Sequence, residues 1–253
     1  MFLLSLSRPA RLRGAVGVIV LIGLAACTPA DPSQPFNDPH EARNRKVHDA
    51  NRALDRAVVR PVSVAYGAVI PKPVQRGVSN LSDNFAMPGI MVNNLLQGDV
   101  EHLVENTFRF AFNTTLGIGG IFDPATSIGL PGKTTDFGET LHVWGTAEGA
   151  YVELPVLGPS TERDAGGRVV DAILNPMRFI LPDSPESYLP TAVNVVSKIG
   201  DRSRYSKLVD EVLYESADSY AQARILYLQN RRFELGETAV DDTFDPYEDP
   251  YGQ

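Results

Sequence analysis

Residues 108–129 read FRFAFNTTLGIGGIFDPATSIG, and the surroundings of this stretch decide what kind of fold the chain can adopt. Phe108, Phe110 and Phe112 can cover more than one side of a helix, which a globular core alone does not require. The stretch then turns to glycines and an Asp-Pro pair, so it is too polar and too broken to cross a bilayer. It is also unusually apolar for a solvated loop. Two interpretations remain open: a well-packed helical core, or a helix and loop that lie partly in an apolar environment.

Helical periodicity extends on both sides of this stretch. Apolar residues recur every three or four positions, which is the spacing of one face of an α-helix. Gly98 is a typical helix end, and Asp99 is a typical cap for the next helix. Asp123 and Asp136 begin two further short helices in the same way. Residues 150–157 are the only convincing extended segment, and the proline inside it restricts it to an edge or lone strand.

These elements predict an all-α chain with a single helical domain over residues 41–235. Prolines divide the predicted helices, so that one helix ends or kinks at Pro61 and another ends before Pro88. The longest predicted helix is the last, over residues 205–228. The C-terminal end from residue 237 onward holds six acidic residues and neither Lys nor Arg. This composition predicts a disordered acidic tail over residues 236–253.

The N-terminal segment indicates secretion and lipidation. Three arginines precede an apolar run of thirteen residues, which is too short to span a bilayer and is typical of a signal peptide. The run ends in the lipobox LAAC, which predicts removal of residues 1–26 and lipidation of Cys27, followed by a linker over residues 27–40. Cys27 is the only cysteine, so it has no disulfide partner. Thr28 follows it, and the sorting rule for bacterial lipoproteins then implies the outer membrane of a Gram-negative cell.

Charge and motifs argue against several classes of function. The formal net charge of −8 argues against nucleic acid, which requires a basic face. Residues 132–134 read Gly-Lys-Thr, but the glycine that a phosphate loop needs five residues earlier is absent. No Gly-x-Ser-x-Gly elbow occurs, although a catalytic triad formed only by the fold is not excluded. No pair of histidines has HxxxH spacing, so we expect no metal site. Because none of these motifs is complete, we also expect no cofactor and no enzymatic activity. The four histidines are His40, His48, His102 and His142.

Several longer motifs follow one another behind the lipobox. The most specific is RFAFNTTLGIGGIFDPA at residues 109–125, and GVSNLSDNFAMPGIMVNNLLQGD at 77–99 precedes it. DFGETLHVWG at 136–145 and GAYVELPVLGPSTERD at 149–164 come after it. Through these motifs the chain resembles the MlaA/VacJ family of outer-membrane lipoproteins, which act in retrograde phospholipid trafficking. The resemblance runs from about Phe36 to Asp171, with a looser helical remainder.

The resemblance implies a ring-like helical body embedded in the inner leaflet of the outer membrane. A central amphipathic pore would let mislocalised phospholipids leave the outer leaflet. They would pass to a soluble periplasmic carrier that resembles MlaC, and then to an inner-membrane transporter. The resemblance also implies association with a trimeric porin and maintenance of lipid asymmetry, with no covalent step.

Seven residues are candidates for the lipid pathway. Arg109 and Asn113 of the RFAFN motif lie four apart on one helix face, where they could meet headgroups or satisfy buried carbonyl groups. The glycines supply flexible backbone where a headgroup or a neighbouring helix comes close. The aspartate would cap the next helix and face the pore or the periplasm. The candidates are Asn51, Arg109, Asn113, Gly117, Gly119, Gly120 and Asp123.

Two alternative functions remain open at this point. The chain could be a periplasm-facing adaptor or solute-binding lipoprotein without a pore, whose apolar residues would be confined to one face of each helix. It could also be a lipid hydrolase, which would need one essential histidine among His48, His102 and His142.

Overall fold

A computed structural model describes residues 36–177 and 185–237 of this chain. The predicted signal peptide, Cys27 and the tail from residue 238 onward lie outside the described residues. Within them the fold is all-α apart from one small hairpin, as predicted. The helices are α1 (Glu41–Leu54), α2 (Arg60–Val69), α3 (Lys72–Gln97), α4 (Val100–Thr115), α5 (Pro124–Ser127), α6 (Phe137–Val143), α7 (Glu162–Leu174), α8 (Leu189–Arg204), α9 (Ser206–Asp210) and α10 (Ser219–Glu234).

Side-chain caps begin several of these helices where the sequence predicts them. Asp99 accepts a hydrogen bond from the backbone of His102, and Asp123 accepts one from Thr126. Asp136 caps α6 through the backbone of Glu139, at 2.8 Å. Gly98 ends α3 in the left-handed conformation, with φ of 73°.

The prolines divide the helices less than the sequence predicts. A π-helical turn over Asp55–Val59 joins α1 directly to α2, and Pro61 lies directly after this turn, in the first turn of α2. Pro88 lies inside α3, so the prediction of a helix end before it is wrong. An internal proline costs a helix about 3 kcal/mol, which burial of Met87, Pro88 and Ile90 offsets here.

The predicted long last helix is in fact two separate helices. α9 continues into a π-helical turn over Glu211–Glu215, and the chain becomes extended at Ser216. Asp218 then caps α10 by accepting from the backbone of Ala221. Short polar side chains that bond to nearby backbone compete with a continuous helix, and they account for this break. The longest described helix is therefore α3, with 26 residues.

The extended segment pairs with a second strand that the sequence does not predict. β1 (Tyr151–Leu154) and β2 (Gly158–Thr161) form an antiparallel hairpin in which Tyr151 lies opposite Thr161. β2 reads GPST, and glycine and proline are depleted in strands, so its pattern contains no strand signal. The next helix, α7, starts directly after β2, at Glu162.

Polar and apolar residues are distributed in the opposite way from a water-soluble domain. Among the described residues, 22 polar or charged residues are buried, against nine apolar ones. The apolar core cluster contains only Tyr151, Tyr220 and Leu228, with two aromatic neighbours. On α4 the side chains of Asn106, Arg109 and Asn113 face inward, while the Phe108 side chain is 54% exposed. The apolar stripes that the sequence shows therefore cover much of the outside of this body.

The packing of the helices places α3 at the centre of the described fold. α4 packs along α3, and α8 packs against both α2 and α3. α6 packs against α7 and also touches α3. No helix among the described residues is long and apolar enough to span a bilayer.

Candidate functional site

The inner face of α4 carries a row of buried polar side chains. Asn106, Arg109 and Asn113 recur at helical spacing, and all three are at least nine-tenths buried. The Asn106 amide donates to Asn94 Oδ1 and to the Lys133 carbonyl, both at 2.9 Å. Buried polar groups destabilise a fold unless they are hydrogen-bonded, so this row requires the partners that α3 and the following loop supply.

Asp123 connects α4 to the loop that follows it. Its carboxylate accepts hydrogen bonds from Asn113 Nδ2 at 2.9 Å and from Thr126 Oγ1 at 2.6 Å. Arg109 Nη2 lies 3.2 Å from the same carboxylate and donates further to Thr126 and to the Leu130 carbonyl. Burial pushes the pKa of Asp123 up, but these hydrogen bonds and the arginine charge outweigh it and hold the pKa below its usual value.

The glycine loop between α4 and α5 is held tightly against α3. A Cβ atom at Gly117 would lie 2.3 Å from the Phe122 carbonyl oxygen, and one at Gly120 would lie 2.4 Å from Asn84. The Asn84 amide donates to the Gly119 carbonyl at 3.1 Å, and Asn80 lies close to the end of the loop. Gly120 therefore serves close packing of the loop on α3, and Gly117 serves close packing of the loop on itself and on the end of α4, whereas Gly119 has open space around it.

The outer side of this loop is apolar. Leu116 and Ile118 are 67% and 65% exposed, and Phe122 is 59% exposed. Ile118 has φ of 53°, which is costly for a β-branched residue. The loop thus hides its polar contacts and presents large apolar side chains outward.

The structure brings six of the seven candidate residues together in this region. Arg109, Asn113 and Asp123 share one hydrogen-bond network, and the three glycines form the loop beside it. Except for Arg109 Nε, the polar atoms of the network bond within the protein, which supports the structural alternative for Arg109 and Asn113. A role of these six residues in lipid passage stays a prediction.

Asn51 lies apart from this group and holds the hairpin. Its amide donates to the Leu154 carbonyl at 2.9 Å and accepts from the backbone of Val156 at 2.7 Å. Val156 itself has φ of 68°, so Asn51 stabilises a strained turn.

A second polar cluster was missed by the sequence analysis. Asn44 and His48 are buried on α1, and Asp55 is buried at the start of the π-helical turn. The Asn44 amide bonds to Asp38 and to the Tyr151 carbonyl, both at 3.0 Å. The signal was available, because Asn44, His48, Asn51 and Asp55 recur at intervals of four, three and four residues opposite the apolar stripe.

His48 stands in an arrangement that imitates part of a hydrolase. Its Nε2 lies 3.0 Å from Ser219 Oγ, and its Nδ1 lies 3.5 Å from Glu153. A hydrolase also needs free donors for the oxyanion. Here the backbone amides of Tyr220 and Ala221 at the start of α10 bond to the carboxylate of Asp218. A carboxylate at this position repels an oxyanion, so the contacts favour a structural role for His48.

No group of three or more potential ligands from His, Cys, Asp and Glu comes together as a metal site in the described part of the chain.

Comparisons with known proteins agree with the motifs. The family model described as MlaA lipoprotein matches residues 36–234. The chain is 34% identical over 224 residues to the "Intermembrane phospholipid transport system lipoprotein MlaA" of Escherichia coli (strain K12), covering 87% of this chain and 86% of that one. It is 28% identical over 231 residues to the protein of the same name in Haemophilus influenzae, covering 89% and 90%.

A solved structure shows the same fold. The structure described as "Structural basis for maintenance of bacterial outer membrane lipid asymmetry" superimposes with a TM-score of 0.68 at 34% identity. The match covers 78% of this chain and 98% of the other. With the family model, the relatives and this structure in agreement, the chain belongs to the MlaA lipoprotein family.

Proposed function

We propose that this chain is an outer-membrane lipoprotein that removes mislocalised phospholipids from the outer leaflet and passes them to a periplasmic carrier. The relatives are named for intermembrane phospholipid transport, and the solved structure is described in terms of outer-membrane lipid asymmetry. In this proposal residues 1–26 are removed and Cys27 carries the acyl chains. Several acyl chains suffice for a stable anchor, because each buried methylene group contributes about 0.8 kcal/mol.

The observation that carries the proposal is the reversed distribution of polar and apolar residues. Water-soluble domains bury apolar side chains and rarely bury charged ones. This body exposes large apolar residues such as Phe233 at 81% and Val69 at 75%, while it buries Arg109, Arg163 and Arg202. An exterior of this kind suits a helical body that lies within one leaflet, since helices satisfy their own backbone hydrogen bonds there.

The position of Asp83 supports a water-filled space inside this body. Its side chain is open to solvent, yet burial by the surrounding protein and the charge of Asp201 raise the pKa of its carboxyl group. The charges that act on it come from α8 (Lys198 and Asp201) and from the α4 network (Arg109 and Asp123). An exposed carboxyl group close to the charged groups of α8 and of the α4 network fits a polar, hydrated surface, which the proposed path for headgroups needs.

In the proposed mechanism the protein supplies a path and no covalent chemistry. A headgroup moves through the hydrated interior while the acyl chains stay next to apolar surface, so neither part of the lipid enters an unsuitable medium. We further propose that a soluble periplasmic carrier of the MlaC type receives the lipid and that a trimeric porin holds the protein in the outer membrane. The adaptor without a pore is the alternative, and it would place the same body in water.

The first test removes the predicted lipid anchor at Cys27 and keeps the helical domain. The chain with Cys27→Ala and without residues 1–26 should require detergent to stay monodisperse, because its apolar exterior remains. In a Gram-negative strain that lacks its own MlaA-type protein, the full-length chain should lower the amount of aminophospholipid that an impermeant amine reagent labels at the cell surface. A variant that is monodisperse in plain buffer, together with unchanged surface labelling by the full-length chain, would favour the adaptor.

A further inference from the structure

His142 lies between an arginine and a glutamate, and one nitrogen of its ring is close to both. Its Nδ1 lies 3.4 Å from Nη1 of Arg163, which belongs to α7. The same Nδ1 lies 3.3 Å from Oε1 of Glu237, which follows α10. The Arg163 side chain is buried, whereas those of His142 and Glu237 are partly exposed. The ring therefore connects α6 to α7 on one side and to the end of α10 on the other.

The two contacts require opposite protonation of the same atom. A guanidinium group can only donate, so the contact with Arg163 requires an Nδ1 that carries no proton and accepts. A carboxylate can only accept, so the contact with Glu237 requires a proton on Nδ1. A neutral ring satisfies one contact at a time, according to which nitrogen carries its single proton. A protonated ring carries a proton on both nitrogens, so it can pair only with Glu237.

The other charged groups at this junction of α6, α7 and α10 are paired among themselves. Asp164 of α7 lies 3.6 Å from Nε of Arg163. Glu237 forms no ion pair with a lysine or arginine within residues 36–177 and 185–237. A proton on His142 is therefore the positive charge that neutralises Glu237. The remaining ion pairs are Arg231 with Asp136, Asp164 and Glu234, Arg232 with Glu148, and Lys133 with Glu139.

Glu237 also marks the point where the C-terminal segment leaves the helical domain. Its backbone amide donates to the Arg232 carbonyl at 2.9 Å, and Gly236 before it has φ of 73°. This arrangement closes the last turn of α10 in the way common for helix ends. Residues 238–253 follow it in the sequence. The ends of a helix open more easily than its middle, so a single side-chain contact can change how often this turn opens.

We propose that His142 and Glu237 form a pH-dependent latch for the end of α10. The protonated ring gives up its contact with Arg163 and pairs with Glu237, so that the last turn of α10 is held against α6. The neutral ring forms no ion pair, and the turn opens more often. Histidine suits this role because its charge ordinarily changes between pH 5 and pH 8. The latch does not depend on the proposed lipid transport, so either can fail without the other.

The experiment is hydrogen–deuterium exchange of the full lipidated chain in a non-ionic detergent, at pH values from about 5 to 8. The rates are corrected for the intrinsic dependence of amide exchange on pH. We expect the backbone amides of Leu235, Gly236 and Glu237 to exchange about two- to fivefold more slowly at the acidic end, as an ion pair between partly exposed side chains allows. The side chains of the pair are 29% and 41% exposed. Equal corrected rates at both ends of the range would overturn the latch.

Three variants assign the effect to the two side chains of the latch. Glu237→Gln and His142→Gln should each remove the difference between acidic and alkaline pH, because neither variant can form the ion pair. His142→Arg is charged at every pH in this range, so it should keep the slow exchange throughout.

His102→Gln is the matched control for these variants. His102 also lies beside a carboxylate, that of Asp99 at 2.7 Å, but this pair belongs to the start of α4. The control should therefore leave the pH dependence at the end of α10 unchanged. Loss of the pH dependence in the control, or its persistence in Glu237→Gln, would refute the assignment to His142 and Glu237.

Exchange in the rest of the protein separates the latch from a general change in stability. The amides of α3 lie at the centre of the fold, and opening of one helix end does not expose them. Their corrected rates should be the same in the parent and in Glu237→Gln at each pH. The melting temperatures of these two proteins should also agree at the alkaline end, where the parent has no ion pair to lose. Slower exchange at acidic pH that is spread equally over α3 and α10 would show general stabilisation and overturn the latch.

Discussion

Replacement of Gly117 by alanine tests whether the glycine loop is held by close packing. The new Cβ would lie 2.3 Å from the Phe122 carbonyl oxygen and 2.4 Å from the Asn113 carbonyl oxygen. Both are backbone atoms, so no side chain can rotate away and the loop itself must shift. Overpacking of this kind costs about 1–3 kcal/mol, and rigid neighbours place the expected value near the upper end.

Two further glycines provide the controls. Gly119 has φ of 71° with no atom within 4 Å of a new Cβ, so Gly119→Ala introduces only backbone strain of about 1–2 kcal/mol. Reduced entropy of the unfolded chain offsets about 0.4–1 kcal/mol of this strain. Gly89 lies inside α3 with open space around it, so Gly89→Ala should stabilise the protein by roughly 0.5–1 kcal/mol.

The assay is thermal unfolding followed by circular dichroism in a mild detergent. For a domain of this size, 1 kcal/mol corresponds to about 2–4 °C in melting temperature. We therefore expect Gly117→Ala to melt about 6–12 °C below the parent, Gly119→Ala at most a few degrees below it, and Gly89→Ala slightly above it. A Gly117→Ala protein as stable as the parent, or less affected than Gly119→Ala, would refute the packing of this loop.

Three other expectations concern charge and strain. Asp123→Asn should lower stability at neutral pH. The folded protein lowers the pKa of Asp123, so the parent should be more stable than the variant at every pH above the ordinary carboxyl pKa. This difference in stability should vanish as the pH falls through the folded pKa. Melting curves of both proteins recorded against pH measure it. Arg45→Gln should move the pKa of Asp218 from about 2 back toward its ordinary value, which a carbon-detected NMR titration measures. The free energy of unfolding should fall by less than about 1 kcal/mol, because the ion pair is largely exposed. Val156→Asn should raise the melting temperature, because asparagine tolerates φ of 68° better than valine does; an unchanged or lower value would contradict strain at this turn.

Features that depend on a few neighbouring residues are predicted well from the sequence. The caps at Asp99, Asp123 and Asp136 and the end of α3 at Gly98 are found where the local pattern places them. Capping depends on one side chain and the next three backbone amides, so no distant contact can change it easily. The class of the fold, mostly helical with one extended segment, follows from periodicity in the same way.

Features that depend on distant partners were predicted less well. Pro88 should end a helix by local rules, but burial of its neighbours keeps α3 continuous. β2 has no strand signal of its own and exists because it pairs with β1 across a turn that Asn51 holds. The polar stripe of α1 was visible in the sequence, yet its partners come from residues about a hundred positions away, such as Tyr151 and Glu153.

The sequence by itself determined the helical class, the helix caps and the motifs that identify the family. It also contains the lipobox, and lipidation of Cys27 stays a prediction from it. It did not determine which side of each helix faces inward, because periodicity locates an apolar stripe without stating what medium covers it. Only the tertiary structure decided that the polar side is inside, where Arg109, Asn113 and Asp123 satisfy one another. The physical reason is that a buried charge requires partners from several elements at once, and only the folded chain brings them together.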